Sequence, residues 1–397
     1  SRVPIVAVTG TNGKTTTTRI IAHIMKTAGR NVGMTTTDGI YINGTQILAG
    51  DMSGPNSAKM VLKNPTVDFA VLETARGGIL RSGLGFDRCD IAVVTNVAAD
   101  HLGLGGIDTM SGLANVKAVV PQSVFRDGVS VLNADNEWTA EMSRTARGEI
   151  IFFSMDEENP VIRDHIRSKG RAVVLRNTRH GGLLTTIGHR RDTSLLLVSQ
   201  IPATFDGRNR ANVANALAAS AAALGADVQL EAIRQALRTF SSSYFQTPGR
   251  FNLLEFDGRR ILMDYCHNAH GLEMMVDFVQ RMTPKRAIAL IAMPGDRSND
   301  DISRFGELAG RSFDRVIIRE DVNTRGRDRG EVAGLLKEAV IRGGLPDSSI
   351  DLVLEEEKAV EKLVGEAERD DFVVLLVDQP TKIWEDLTNI PGMRSVV

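Results

Sequence analysis

Gly10-Thr11-Asn12-Gly13-Lys14-Thr15-Thr16 follows directly on the apolar run Val3-Pro4-Ile5-Val6-Ala7-Val8 and opens a helical pattern that runs from Thr16 to Lys26. Strand, glycine turn and helix start are the parts with which a backbone surrounds phosphate oxygens. Glycines let the chain curl inward, successive N–H groups face the anion, and the positive end of the helix adds to them. A lysine in the place of Lys14 reaches the β/γ-phosphates, and a hydroxyl in the place of Thr15 takes a position on Mg²⁺. The loop departs from the common G-x-x-x-x-G-K-[ST] form at its first position, because Val8 stands five residues before Gly13, where that pattern has its first glycine. Its setting between a buried type of strand and a helix supports a nucleotide loop over a glycine turn with a solvated lysine.

The 397 residues allow two domains, and 42% hydrophobic with 24% charged residues is ordinary for a globular chain. With 47 basic and 49 acidic side chains there is no general basic surface, which argues against nucleic acid as a partner. Two cysteines, Cys89 and Cys266, suggest neither a disulfide framework nor a structural zinc site, and point to a reducing, cytoplasmic compartment. Apolar runs such as Phe372-Val373-Val374-Leu375-Leu376-Val377 have strand length, and the start of the chain lacks a signal-peptide pattern, so no membrane role is expected. Opening so soon on the phosphate loop is natural for a module of a longer protein.

Strand-like runs at 5–8, 69–72, 91–94, 128–132 and 150–153 alternate with helical patterns. They predict an α/β fold, a central phosphate-loop ATPase domain with a mostly parallel sheet covered on both faces. Shorter runs at 173–175, 182–187 and 194–198 read as a smaller antiparallel or mixed layer, followed by helices over 212–224 and 230–240. The polar stretch Ser241 to Gly249 reads as a linker. Strands then restart at 253–256, 261–264, 287–291, 315–318, 350–354 and 372–377. This divides the chain into a central domain, 1–245, and a smaller Rossmann-like α/β domain, 246–397. A cleft between two such domains suits a reaction of ATP with two further substrates.

Ligands in parallel sheets collect beyond the carboxyl ends of strands. Glu73 ends one strand, and Asn96, Asp100 and His101 follow the next, so both ends are expected to converge on the Lys14 loop. Thr15 with Glu73 makes an oxygen pair suited to Mg²⁺, and His101 is a partner for a second ion. Taken alone, Glu73 also reads as a helix cap and His101 as a histidine orienting Asp100. Lys117, among apolar neighbours, reads by itself as a surface lysine with its stem laid along the helix. Asn133-Ala134-Asp135 ends a further strand, where it would meet a ribose, a water or Lys117. In the second domain Asp264-Tyr265-Cys266-His267-Asn268 and Pro294-Gly295-Asp296-Arg297 close two strands. Arg250 and the run Arg325-Gly326-Arg327-Asp328-Arg329 add fixed positive charge suited to carboxylates or phosphates, or form a solvated run.

In order along the chain, the phosphate loop, Glu73-Thr74, Asn96-Val97 with Asp100-His101, Asn133-Ala134-Asp135, Asn212 to Asn215, Pro248-Gly249-Arg250 and Asp264 to Asn268 resemble the Mur ligase superfamily. Its members are ATP-dependent enzymes that join a carboxylate to an amine. Segments 35–42, 72–81, 100–106 and 325–331 are similar to the carboxyl-terminal ligase module of the cyanophycin synthetase subgroup. The resemblance implies ATP and Mg²⁺ as cofactors, with Thr11, Asn12, Gly13, Lys14, Thr15 and Thr16 around the phosphates. It implies Thr15, Glu73 and His101 as metal ligands or shell, and Asn212 or Asn215 on the adenine. Arg250, Asp264 and His267 would reach the nucleotide from the second domain. Lys117 falls where many relatives carry a carbamylated lysine, which turns a cation into a metal-binding carbamate. The histidine usual before Asn212 is Ala211 here, and the proline usual after His267-Asn268 is Ala269.

The implied reaction is attack of a carboxylate on the γ-phosphorus, giving an acyl phosphate that an amine then opens. Lys14, Glu73, His101, Lys117 and His267 are its candidate catalytic residues. In the subgroup the acceptor is an aspartate side chain on a polymer and the amine is arginine. Glu320, Asp321 and Asp328, with Arg297, Arg325 and Arg327, are the candidate substrate residues. An ATP-grasp module in the same or an associated chain and a homo-oligomer are the implied partners. Another amino acid ligase of the peptide or folylpolyglutamate type, a phosphate-loop kinase or switch, and a non-catalytic ATP-binding module are the rival readings.

Overall fold

The computed structural model describes residues 2–100, 102–103, 105–188 and 191–396. The described residues form two compact units, one from 1–99 and 105–240, the other from 100–104 and 241–397.

The first unit is built on one sheet of eleven strands, β1 Ile5–Thr9, β2 Val32–Thr36, β3 Gly39–Ile42, β4 Thr45–Ala49, β5 Phe69–Glu73, β6 Cys89–Val94, β7 Val124–Asn133, β8 Glu149–Ser154, β9 Arg171–Thr178, β10 Gly181–Ile187 and β11 Thr193–Leu197. Their order across the sheet is β11-β10-β9-β8-β7-β6-β1-β5-β2-β3-β4. The seven strands from β9 to β2 run parallel, and an antiparallel hairpin closes each edge. Strands buried on both faces must be apolar at every position, and β1 shows why. Val6 and Val8 face the helices Lys14–Thr27, Arg210–Gly225 and Leu230–Thr239, while Ile5 and Ala7 join the opposite core with Ala58, Val61 and Val120. The alanines of Arg210–Gly225 let that helix lie against the phosphate-loop helix with little side-chain bulk between them.

The run at 173–198 was expected as a separate small layer. It is instead the continuation of the main sheet, because β9 pairs in parallel with β8, Phe152 opposite Ala172 and Phe153 opposite Val173, before the chain turns back antiparallel through β10 and β11. The hairpin β3–β4 carried no strand expectation.

The second unit holds a seven-stranded sheet of β12 Asn252–Phe256, β13 Arg259–Asp264, β14 Arg286–Ile291, β15 Arg315–Ile318, β16 Ile350–Leu352, β17 Asp371–Leu376 and β18 Arg394–Ser395, in the order β16-β15-β14-β17-β13-β12-β18. β13 to β17 are mutually parallel, and β12 and β18 form an antiparallel edge. The helices Glu356–Glu366 and Pro380–Thr388 cover one face through Leu363, Ile383 and Trp384. Residues from 241 onward group with this unit. Asn252 Nδ2 donates to Ser242 O at 2.9 Å, and Tyr244 stacks on Trp384 with ring centroids 4.6 Å apart. The expected linker is therefore packed structure, and the main segment of the unit runs from Ser241. Among the described residues no helix is long and apolar enough to cross a membrane.

Candidate functional site

The loop between β1 and the helix Lys14–Thr27 is shaped by two glycines with positive φ. Gly10 sits at φ +147°, where a Cβ would lie 1.9 Å from Thr95 Oγ1; Gly13 sits at φ +83°, 2.4 Å from Asn215 Oδ1. Neither place admits a side chain without movement. Thr95 and Asn96, just beyond β6, hold the loop from below. Asn12 N donates to Asn96 Oδ1 at 3.0 Å, Asn96 Nδ2 donates to Asn12 O at 3.1 Å, and Thr95 Oγ1 donates to Asn12 O at 2.7 Å. Thr11 Oγ1 donates to Ala98 O at 3.2 Å and accepts from Ala98 N at 3.0 Å. Lys14 Nζ lies back over its own loop, 2.8 Å from Thr11 O. Replacing Gly13 with alanine is expected to weaken nucleotide binding at least about tenfold, since the loop must shift to relieve both the contact and the backbone strain. Calorimetric titration with an ATP analogue reads this directly.

Beside the loop, three oxygen-bearing residues from three elements meet. Thr15 Oγ1 donates to Glu73 Oε2 at 2.9 Å and lies 3.1 Å from Thr37 Oγ1, and Thr37 N donates to Glu73 Oε2 at 3.3 Å. One carboxylate and two hydroxyls are hard donors. They fit Mg²⁺, which usually takes one or two carboxylates and fills its remaining positions with water and substrate phosphate. No group of three or more His, Cys, Asp or Glu that could hold a metal ion occurs among the described residues, so this set carries the metal hypothesis. Thr37 was not singled out from the sequence, because it belongs to the turn of a hairpin that was itself unrecognised. Thr16 is buried in the first turn of the helix. His101 lies outside the described residues.

Lys117 departs from its reading as a surface lysine. It is 3% exposed, and its Nζ donates to Gly10 O at 2.8 Å, so the helix Met110–Gln122 aims this side chain at the back of the phosphate loop. Asn133 is committed to the fold, with Nδ2 on Thr95 O at 2.8 Å and Oδ1 accepting from Asp135 N at 2.9 Å.

Asn212 and Asn215, expected on the adenine, are bonded within the protein. Asn212 Nδ2 donates to Ala203 O at 2.8 Å and its Oδ1 accepts from Asn215 Nδ2 at 3.1 Å. Asn215 Oδ1 accepts from Thr17 Oγ1 at 3.1 Å and abuts Gly13. Both are buried behind the phosphate loop, which they brace.

In the second unit Asp264, at the carboxyl end of β13, accepts from Phe251 N at 2.9 Å. Burial pushes its carboxyl up, opposed by the Arg250 guanidinium and by backbone N–H groups of Phe251, Cys266 and Tyr265. Arg250 lies over the Tyr265 ring, 5.1 Å from its centre. His267 Nδ1 is 3.0 Å from Tyr265 O and its Nε2 is 4.0 Å from Asp100 Oδ2. Burial holds its imidazole below the usual histidine range against the pull of Asp100, which favours a neutral ring near pH 7. Arg297, buried, pairs with Asp100 Oδ1 at 3.4 Å and Asp296 Oδ1 at 2.7 Å.

Beyond β15, Glu320 Oε2 accepts from Gly330 N at 2.7 Å and pairs with Arg329 Nε at 3.4 Å, while its buried Oε1 has no hydrogen-bond partner among the described residues. Asp321 Oδ1 accepts from Arg319 Nη1 at 2.7 Å. Burial raises the carboxyl of Asp378, after β17, first and the charge of Asp321 second. Asp328 is exposed, and Arg325 Nη1 donates to Asp296 Oδ2 at 2.7 Å.

Arg327, expected as a substrate residue, is tied into the second unit. Its guanidinium donates to Gly295 O at 2.9 Å, to Arg297 O and Asn299 Oδ1 at 2.8 Å each, and to Glu331 Oε1 at 2.7 Å. Arg327→Ala should therefore cost the second unit about 1–3 kcal/mol, measurable by urea unfolding, with unchanged ATP affinity.

Comparison with known proteins matches the same regions. The Mur ligase middle domain is matched over residues 8–223 and the Mur ligase glutamate ligase domain over 249–376. The chain is 44% identical over 381 residues to the cyanophycin synthetase of Geminocystis herdmanii, covering 96% of this chain and 43% of that protein. It is 45% identical to the cyanophycin synthetase of Nostoc sp., covering 96% and 42%. It thus spans less than half the length of these relatives. A solved bifunctional folylpolyglutamate synthase/dihydrofolate synthase shares the fold with a TM-score of 0.71 at 21% identity, covering 97% of this chain and 89% of that one. With both of its units matched in order by the two ligase domains, the chain belongs to the Mur ligase family.

Proposed function

We propose that this chain is the amide-forming module of an ATP-dependent ligase that joins arginine, through its α-amino group, to the side-chain carboxylate of aspartate on a cyanophycin-type polymer. The observation that carries the chemistry is the Thr15, Thr37 and Glu73 oxygen set beside a glycine loop that admits no side chains. The identity to proteins called cyanophycin synthetase supports the substrate pair.

In this reading the loop N–H groups hold the ATP phosphates, and Lys14 leaves Thr11 O for the β/γ oxygens as the acceptor carboxylate attacks the γ-phosphorus and ADP departs. Mg²⁺, held by Thr15, Thr37 and Glu73, would supply charge neutralisation on the phosphate oxygens. Lys117, through Gly10 O, keeps the loop in register, and a carbamate there is not required for that role. The amine then adds to the acyl carbon, phosphate leaves, and the amine proton passes to a base. His267, held neutral by its surroundings, is assigned that step in preference to Asp264, whose carboxylate already accepts from backbone N–H groups.

Capture of arginine is assigned to the second unit. The unsatisfied Glu320 Oε1 and the acids Asp321 and Asp378, at the carboxyl ends of β15 and β17, are suited to a guanidinium. The proposal includes an ATP-grasp-type partner module, in the same or an associated chain, and self-association.

The test is mass spectrometry of products after incubation with Mg-ATP, arginine and a short primer ending in a free aspartate side chain. Gain of one arginine residue with matching ADP is expected. No gain, under conditions where ATP is shown to bind, would overturn the substrate assignment.

A further inference from the structure

Thr37 reaches Thr15 and Glu73 from the turn between β2 and β3, whose two residues, Thr37 and Asp38, are both polar. The residue after it, Asp38, is held on both oxygens. Its Oδ1 accepts from Thr36 Oγ1 at 2.7 Å, and its Oδ2 accepts from Tyr41 OH at 2.5 Å and from the Arg19 guanidinium, with which it forms an ion pair. Its backbone O accepts from Gln46 Nε2 at 2.9 Å and Gly50 N at 3.2 Å, which fastens the turn to the rest of its hairpin. Arg19 and Tyr41 are both almost fully buried, and the guanidinium carbon lies 4.6 Å from the centre of the Tyr41 ring.

Where Arg19 comes from gives this network its direction. It stands four residues after Thr15 on the phosphate-loop helix, hence on the same face one turn along. The helix and the turn are thus joined by two adjacent rungs, Thr15 to Thr37 and Arg19 to Asp38. A rigid second rung sets the length of the first. A fold tie alone would need only the ion pair. The Tyr41 hydroxyl adds a second donor to the oxygen that Arg19 already holds, and so fixes where that carboxylate sits as well as whether it is paired.

The geometry points to Arg19, Asp38 and Tyr41 as positioning residues that hold Thr37 at the metal-facing side of the phosphate loop, so that the magnesium dependence of nucleotide binding is set by this network. The inference rests on the ATP-binding reading above and concerns only the first unit. It assigns the network no contact with substrate.

The experiment is calorimetric titration of the whole chain with a non-hydrolysable ATP analogue, once with Mg²⁺ and once with a chelator, for the wild type, Tyr41→Phe, Asp38→Asn, Thr37→Val and the Tyr41→Phe/Thr37→Val pair. Tyr41→Phe keeps the ring and removes only the hydroxyl, so it remains informative if Asp38→Asn unfolds. The expected result is a loss of roughly tenfold in affinity with Mg²⁺ for Tyr41→Phe, little change without it, and no further loss in the Thr37→Val background. Equal losses with and without Mg²⁺, or a full additional loss in the double variant, would reduce the network to a fold tie and overturn the inference. A wild type with no affinity for the analogue would instead sink the ATP-binding reading itself.

Discussion

Lys14→Ala should lower ADP release in the presence of Mg-ATP, arginine and primer by about 10³-fold, the scale on which removal of a single charge-stabilising donor acts on a transition state. The fold has little at stake. Lys14 begins the helix Lys14–Thr27, is half-exposed, and donates to Thr11 O of its own loop. Alanine keeps the helix start, so the thermal midpoint should move by no more than about 2 °C. What is lost is the ammonium that donates to Thr11 O, the one cation of the loop itself. Arginine should not restore it, because its planar fork is wider than the compact charge that such a loop admits. Initial-rate measurement settles the matter: residual turnover above a few per cent of wild type, with the protein folded, would remove Lys14 from the phosphate chemistry. Lys117 offers the useful contrast. Its ammonium is buried against Gly10 O, so its loss would be felt in stability and in loop geometry together.

The phosphate loop was legible because three local signals coincide within it: an apolar strand, glycines at fixed spacing and a helix start. Glu73 was legible as the polar end of an apolar run. Thr37 was not, since a short polar hairpin between two buried strands carries little periodicity, and its meaning depends on Thr15 lying 3.1 Å away from it. Asn212 and Asn215 were found, but their bonds within the protein were not foreseen. Helical periodicity places both on one side of a buried helix without saying that the side is occupied by Gly13 and Thr17. Arg327 fails in the same way, because a charge run reads as solvated or ligand-facing until its acceptors, four atoms from residues 295 to 331, are brought round it by the fold. The parallel order of the central strands followed from their alternation with helices. The continuation of the sheet through β9 did not, since the short apolar run Val173-Val174-Leu175 says nothing about which neighbour its strand pairs with.

Arg319 is the residue of the second unit whose loss should cost most, and nothing in its sequence neighbourhood announces it. Its side chain is 5% exposed and ties the ends of β15 and β17 to the start of the helix Glu356–Glu366: Nε lies 2.9 Å from Glu356 Oε2 and donates to Leu376 O at 3.1 Å, and Nη1 donates to Asp321 Oδ1 at 2.7 Å. Glu356 in turn accepts from Asp378 N at 2.7 Å and Gln379 N at 3.0 Å, so the turn that carries Asp378 hangs on the same pair. Arg319→Met fills much of the space and leaves two buried carboxylates without their cation. The expected cost is about 3–5 kcal/mol, toward the low end because Glu356 keeps its backbone donors. That corresponds to a fall in melting temperature on the order of 10 °C for a unit of this size. Trp384 lies in this unit and Trp138 in the other, so in a Trp138→Phe background the remaining fluorescence should report the early transition alone. Adding Glu356→Gln to Arg319→Met should recover part of the loss, since the cost resides in the unpaired charges and not in missing contacts. A variant that melts with the wild type would show that the pair contributes no more than its desolvation removes. Short of unfolding, the same change frees both Asp321 and Asp378. If those acids receive the guanidinium, Arg319→Met at low temperature should raise the KM for arginine about tenfold or more while ATP affinity in the first unit stays as it was.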